Sequence, residues 1–119
     1  MEFDTNVPVY LQILTYLKEK IVKQEWKEGE KMPSVRELAK ALKVNPNTVQ
    51  RAYRQLESEG IIYSKRGMGS YITEDRDKLY QLKKEMAHDI VDDFAKRMMN
   101  IGLNKSEMLE IIKEYVKGV

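Results

Sequence analysis

Two helix-start signals, set one short apolar segment apart, constrain this chain more than any other feature. The first is Ser34-Val35-Arg36-Glu37. In such an S-x-x-E run the serine hydroxyl accepts the backbone N–H of the glutamate, and the glutamate carboxylate accepts the N–H of the serine. Leu38, Ala39 and Leu42 then supply the buried side of a short helix. The second signal is Val44-Asn45-Pro46. Asn45 caps, Pro46 takes the first helical position, and Val44 with Val49 occupy the two staple positions. This helix is expected to run to about Glu59, where Gly60 stops it. About three residues separate the two helices, which is the spacing of a helix-turn-helix.

The flanking segments extend the pattern. Pro8 opens a helix whose apolar residues recur at Tyr10, Ile13, Leu14, Leu17 and Ile21, ending near Gln24 before Trp26 and the loop Lys27-Glu28-Gly29-Glu30. After Gly60, the runs Ile61–Ser64 and Ser70–Thr73 read as short strands. The tip between them, Lys65-Arg66-Gly67-Met68-Gly69, holds two glycines and two cations. Three helices followed by a basic hairpin describe a winged helix. The expected fold is therefore mainly α with a small β-hairpin.

From Asp75 the character changes. Leu79, Leu82, Met86, Ile90, Phe94 and Met98 form a long apolar stripe at helical spacing. Ile101-Gly102 breaks it, Asn104 with Glu107 offers a fresh cap, and Met108, Leu109, Ile111, Ile112, Tyr115 and Val116 follow on a last helix. The expected division is a winged helix-turn-helix domain at 1–74 and a two-helix tail at 75–119. Such a hairpin cannot bury its apolar surface alone; it must pack on the winged domain or on a second copy. A dimerisation hairpin is expected, with Leu79, Leu82, Met86, Ile90, Phe94, Met98, Met108, Ile112 and Tyr115 at the interface.

Charge and composition narrow the function. Net charge over 119 residues is only +2, but between Arg36 and Ser70 seven basic residues face three acidic ones, whereas from Asp75 onward nine face nine. Positive charge is thus concentrated where a phosphate-binding surface needs it. There is no cysteine, which removes thiolate nucleophiles, thiolate metal sites and disulfides. The single histidine, His88, stands with Asp89, Asp92 and Asp93 on what reads as a solvated acidic helix face, so no metal or other cofactor is expected. Gly67-Met68-Gly69 joins two strands instead of opening a helix, so it is no phosphate-binding loop. An enzyme is not expected. The start MEFDTNVP does not read as a signal peptide, and no apolar run approaches the ~18 residues of a membrane span. The expected setting is the cytoplasm, without membrane attachment.

On the third helix, Val49, Ala52, Tyr53 and Leu56 point inward. The opposite face then carries Asn47, Gln50, Arg51 and Arg54. These side chains read base edges in the major groove, arginine on guanine and asparagine or glutamine on adenine. Arg36 lies in the first turn of the second helix, where backbone N–H groups and the helix dipole favour a phosphate. Thr48 can donate to a phosphate, and Lys65 and Arg66 can reach the minor groove from the wing. A winged-helix protein-interaction adaptor without DNA binding is the alternative, but an adaptor would favour apolar residues on the exposed face of the third helix.

The segments Lys31–Ala39, Val44–Tyr53 and Leu56–Ile62, followed by Arg66-Gly67-Met68-Gly69-Ser70-Tyr71-Ile72, closely resemble the GntR family of bacterial regulators, and the V-N-P-N-T-V-x-R-A-Y form with a short helical tail looks most like the YtrA-type subgroup. The resemblance spans roughly residues 7 to 74. It implies a homodimer on pseudo-palindromic double-stranded operator DNA, usually acting as a repressor. The implied DNA contacts come from Arg36, Asn45, Asn47, Thr48, Gln50, Arg51 and the wing. Together with the face of the third helix, the expected DNA-binding set is Ser34, Arg36, Asn45, Asn47, Thr48, Gln50, Arg51, Arg54, Lys65, Arg66, Gly67 and Gly69. Other branches of the family carry arginine at the positions of Pro46 and Gln50, so their operator rules do not transfer. The tail is far shorter than the ligand-binding or aminotransferase domains of those branches, and the resemblance assigns no small-molecule effector.

Overall fold

The first helix begins without a side-chain cap of its own. Pro8 precedes α1 (Val9–Val22), and Gln12 secures the approach to it. The Gln12 amide donates to the Asp4 and Val7 carbonyls at 2.7 and 2.8 Å, and its oxygen accepts the Asp4 N–H at 2.7 Å. Helix α2 (Val35–Leu42) starts with the expected capping box, Ser34 and Glu37 exchanging two hydrogen bonds of 3.1 Å. It ends on Lys43, a non-glycine residue in the left-handed region at φ 57°. Helix α3 (Pro46–Ser58) starts with Pro46 in its first turn and with the Asn45 side chain accepting the Asn47 N–H at 2.8 Å. At its end Gly60 turns to φ +75°. Its N–H donates to the Glu57 carbonyl at 3.0 Å, and the Ile61 N–H donates to the Leu56 carbonyl at 2.9 Å. Those two bonds satisfy carbonyls that the helix leaves unpaired, and Leu56 and Ile61, which accompany the motif, are both fully buried.

The wing is an antiparallel pair, β1 (Ile62–Lys65) and β2 (Gly69–Ile72), in the register Ile62 with Ile72 through Lys65 with Gly69. Its tip is therefore three residues, Arg66-Gly67-Met68, where five were expected. Lys65 and Gly69 extend the ladder because Gly67 takes φ +75° and closes a tight turn, the Met68 N–H reaching the Lys65 carbonyl at 2.9 Å. The segment after Trp26 does more than connect. Gly29 donates to Ile72, Ile72 donates to Glu30, and Met32 donates to Ser70, at 2.9, 2.9 and 2.8 Å. That segment lines the outer edge of β2 and leaves the wing with one free edge instead of two.

Helix α4 (Arg76–Asn100) and helix α5 (Lys105–Lys117) complete the chain. This computed structural model describes residues 1–119, which form two compact units, Met1–Leu82 and Lys83–Val119. In the first unit α3 lies against both α1 and α2 and continues into the wing. Ile13, Leu17, Ile21, Val49, Leu56, Ile61 and Ile72 are its largest fully buried side chains. A part-buried ion pair, Lys18 with Glu59 at 2.9 Å, ties α1 to the end of α3.

The first unit includes the opening turns of α4, because Leu79 and Leu82 are only 7% and 5% exposed. The expected boundary after residue 74 thus gives way to a division after Leu82. The same burial corrects the expected interface. Leu79 and Leu82 are enclosed within the protomer and have little surface left for a second copy. Met86, Ile90, Phe94, Met98, Met108, Ile112 and Tyr115 lie in the second unit, where no residue is fully buried. There Gly102, at φ +92°, ends α4 with two hydrogen bonds of the kind seen at Gly60, and Asn104 and Glu107 form the capping box of α5 at 2.9 and 3.0 Å.

Candidate nucleic-acid interface

Helix α3 divides as its periodicity requires. Val49, Ala52, Tyr53 and Leu56 are buried, and Asn47, Gln50, Arg51 and Arg54 are exposed on the other face. The helix is held from three sides, by α1, α2 and β1, which fixes the outward face rigidly. The buried Tyr53 hydroxyl donates to the Pro33 carbonyl at 2.6 Å, locking the approach to α2 onto α3. Burial, with the nearby Glu37 charge adding to it, holds that phenol well above its ordinary pKa, so it remains a donor.

The capping residues occupy the edge of the same surface. The Ser34 hydroxyl oxygen accepts the Glu37 N–H and the Asn45 side-chain Oδ1 accepts the Asn47 N–H, which leaves the Ser34 O–H and the Asn45 side-chain NH2 as free donors on exposed residues. Glu37 is held below the usual carboxylate range by the Ser34 backbone N–H it accepts. Arg36 is exposed one residue beyond the start of α2, and Thr48 is half-buried at the start of α3.

Some cations of the chain are neutralised within it and others are not. Lys18, Lys20, Arg76, Lys96 and Arg97 each pair with an acid at 2.9–3.9 Å. Arg36, Arg51, Arg54, Lys65 and Arg66 pair with none and donate no hydrogen bond within the protein. These five, with Lys40 of α2 likewise unpaired, leave unneutralised positive charge on α2, α3 and the wing, suited to phosphate and to the acceptors of base edges.

Two of those cations rest on aromatic rings, which sequence periodicity did not reveal. The Arg51 guanidinium lies 3.6 Å from the ring centre of Tyr10 on α1. On the wing, Tyr63 and Tyr71 stack with centroids 6.0 Å apart, and the Lys65 ammonium sits 4.4 Å from the Tyr71 centroid and 5.8 Å from that of Tyr63. Tyr10 read only as part of the apolar stripe of α1, and Tyr71 only as a strand residue. At the start of β2 Gly69 is required by its φ of +102°; a Cβ there would also stand 3.1 Å from Lys31 Cε, a contact the flexible lysine can relieve by shifting. Gly67 has open space around it and is required only by its φ.

No group of three or more histidine, cysteine, aspartate or glutamate side chains is placed to hold a metal ion, and no helix is long and apolar enough to cross a membrane.

Comparison with known proteins agrees with this geometry. Residues 9–72 match the family described as bacterial regulatory proteins, gntR family. The chain is 43% identical to the HTH-type transcriptional repressor YtrA of Bacillus subtilis, over 96% of this chain and 91% of that one. A GntR family transcriptional regulator from Listeria monocytogenes superposes with a TM-score of 0.88 at 42% identity, covering 94% of this chain and 98% of that one. The DNA-binding domain of AraR, solved in complex with operator ORX1, superposes with a TM-score of 0.54 at 27% identity, over 56% of this chain and 81% of that one.

Proposed function

Because this chain belongs to the gntR family of bacterial regulatory proteins, we propose that it represses transcription in the cytoplasm by binding a pseudo-palindromic operator as a homodimer. Helix α3 enters the major groove and presents Asn47, Gln50, Arg51 and Arg54 to base edges. Ser34, Arg36, Asn45 and Thr48 at the starts of α2 and α3 grip phosphates and set the register. Lys65 and Arg66 reach from the wing to the adjacent minor groove, with Gly67 and Gly69 shaping the tip. The observation that carries this reading is the outward face of α3, wholly polar and bearing cations with no acid to neutralise them. An adaptor surface would be apolar there.

The second unit supports the dimer. Ile90 is 66% exposed and Tyr115 76%, and α5 buries no residue in the single chain. Each apolar side chain of that size left in water forgoes roughly 1.5–3 kcal/mol, so a second copy is the natural cover for Met86, Ile90, Phe94, Met98, Met108, Ile112 and Tyr115. Two-fold symmetry then directs two recognition helices to half-sites about one helical turn apart, or a multiple of it. Repression is read from the relative named a repressor: a dimer seated on a promoter excludes polymerase.

Selection from a pool of randomised duplexes, followed by footprinting on the enriched sequence, tests this directly. The expected result is a pair of protected, two-fold-related half-sites. Enrichment of no sequence would refute operator recognition, and a single protected half-site would refute the dimer.

A further inference from the structure

Tyr10 stands half-buried on α1, outside the helix-turn-helix itself, yet its ring is covered by the guanidinium of the most central cation of α3. At 3.6 Å from the ring centroid the two groups are in van der Waals contact, and only a guanidinium lying over the ring face can approach that closely. Face contact leaves the five N–H donors of Arg51 pointing outward around the edge of the guanidinium plane. None of them is taken by a protein acceptor. Together with Pro8, Val9, Asn47 and Thr48 the pair lines an open cleft of about 330 Å³ between the starts of α1 and α3. A free arginine side chain carries much rotamer entropy, which a bidentate contact must remove; a stacked one has lost part of it beforehand.

We infer that Tyr10 is a specificity-determining positioning residue, which holds the Arg51 guanidinium flat on its ring so that the donor edge is presented ready-made to a bidentate acceptor pair on the DNA. The inference rests on the reading of α3 as the recognition helix. It assigns a role to the ring and none to the Tyr10 hydroxyl, which makes no hydrogen bond in the protein. It also explains why α1 is pinned to α3 by Lys18 and Glu59 at the far end of the contact: the angle between the helices sets where the ring lies.

The test is a double-mutant cycle on the full chain, using the duplex that the wild type enriches from a randomised pool and a random-sequence duplex as probes. Tyr10→Leu is expected to weaken binding to the enriched duplex by about 3- to 30-fold, the range of a partly exposed to desolvated cation–π contact, and the random duplex by less. Tyr10→Phe restores the affinity. In the Arg51→Ala background, Tyr10→Leu has no further effect. An undiminished loss in that background, or no loss with Tyr10→Leu alone, overturns the inference. If Arg51→Ala itself leaves the enriched duplex bound as before, the recognition-helix reading fails instead, and this inference with it. A measurement independent of the variants' folding is the proton NMR shift of the Arg51 side chain in the wild type. Ring-current displacement upfield is expected, and random-coil shifts contradict the stack.

Discussion

Ile90→Asp gives the sharpest test of the proposed dimer, because the protomer itself does not depend on the isoleucine. The side chain is 66% exposed in the single chain, on α4 beyond the last buried residue, Leu82. Complete burial of an isoleucine contributes roughly 1.5–3 kcal/mol, so covering the two-thirds that is exposed contributes about 1–2 kcal/mol. A two-fold interface counts the residue twice, which makes about 2–4 kcal/mol for the pair. Two carboxylates buried near one another add a desolvation penalty of several kcal/mol more. The dimer dissociation constant is therefore expected to rise by at least about 100-fold. Sedimentation equilibrium over a range of concentrations measures this, with far-ultraviolet circular dichroism confirming that the helices persist. A variant that dimerises as tightly as the wild type would refute the assignment of this face to the interface.

Three further outcomes follow from the geometry. Gln50→Ala is expected to cost about 1–3 kcal/mol on the selected duplex and to relax base preference at one position of each half-site, whereas Lys65→Ala weakens selected and random duplexes alike; competition binding separates the two patterns. Gly60→Ala forces a Cβ onto a residue at φ +75° and is expected to destabilise the chain by roughly 1–2 kcal/mol, read as a lower Tm, although the space around it is tolerable, with the Lys78 side chain 3.4 Å away. Glu37, whose carboxylate is depressed by the Ser34 N–H, contributes stability that is complete above its ordinary pKa of about 4.3 and is lost as the pH falls through its lower folded value. The Tm difference between wild type and Glu37→Ala should accordingly shrink on acidification, and a constant difference in thermal melts between neutral and strongly acidic pH would contradict it.

How much of this was legible in the sequence depended on the range of the interaction. Ser34 with Glu37, Asn45 with Pro46, and Asn104 with Glu107 act within one helical turn, and all three helix starts stand where those residues place them. The alternation that sorts Val49, Ala52, Tyr53 and Leu56 from Asn47, Gln50, Arg51 and Arg54 is equally local. Long-range partners were not legible. The stripe on α4 showed that Leu79 and Leu82 seek cover, but periodicity does not say which surface supplies it. The pairing of Gly29, Glu30 and Met32 with β2 leaves no trace in the composition of a loop. Tyr10 was hidden by its own amphipathicity, since an aromatic at a stripe position reads as core while its ring serves a cation 41 residues away.

The central claim is that the unpaired cations of α2, α3 and the wing bind DNA backbone while the face of α3 reads bases. The salt dependence of binding to the selected duplex tests it most directly. If each protomer neutralises about four phosphates, a dimer releases counterions from about eight, and log Kd plotted against log salt rises with a slope of roughly 7. Random duplex should be bound more weakly but remain salt-dependent, since phosphate contacts carry no sequence information. A slope near zero, with selected and random duplexes bound equally, would contradict the account.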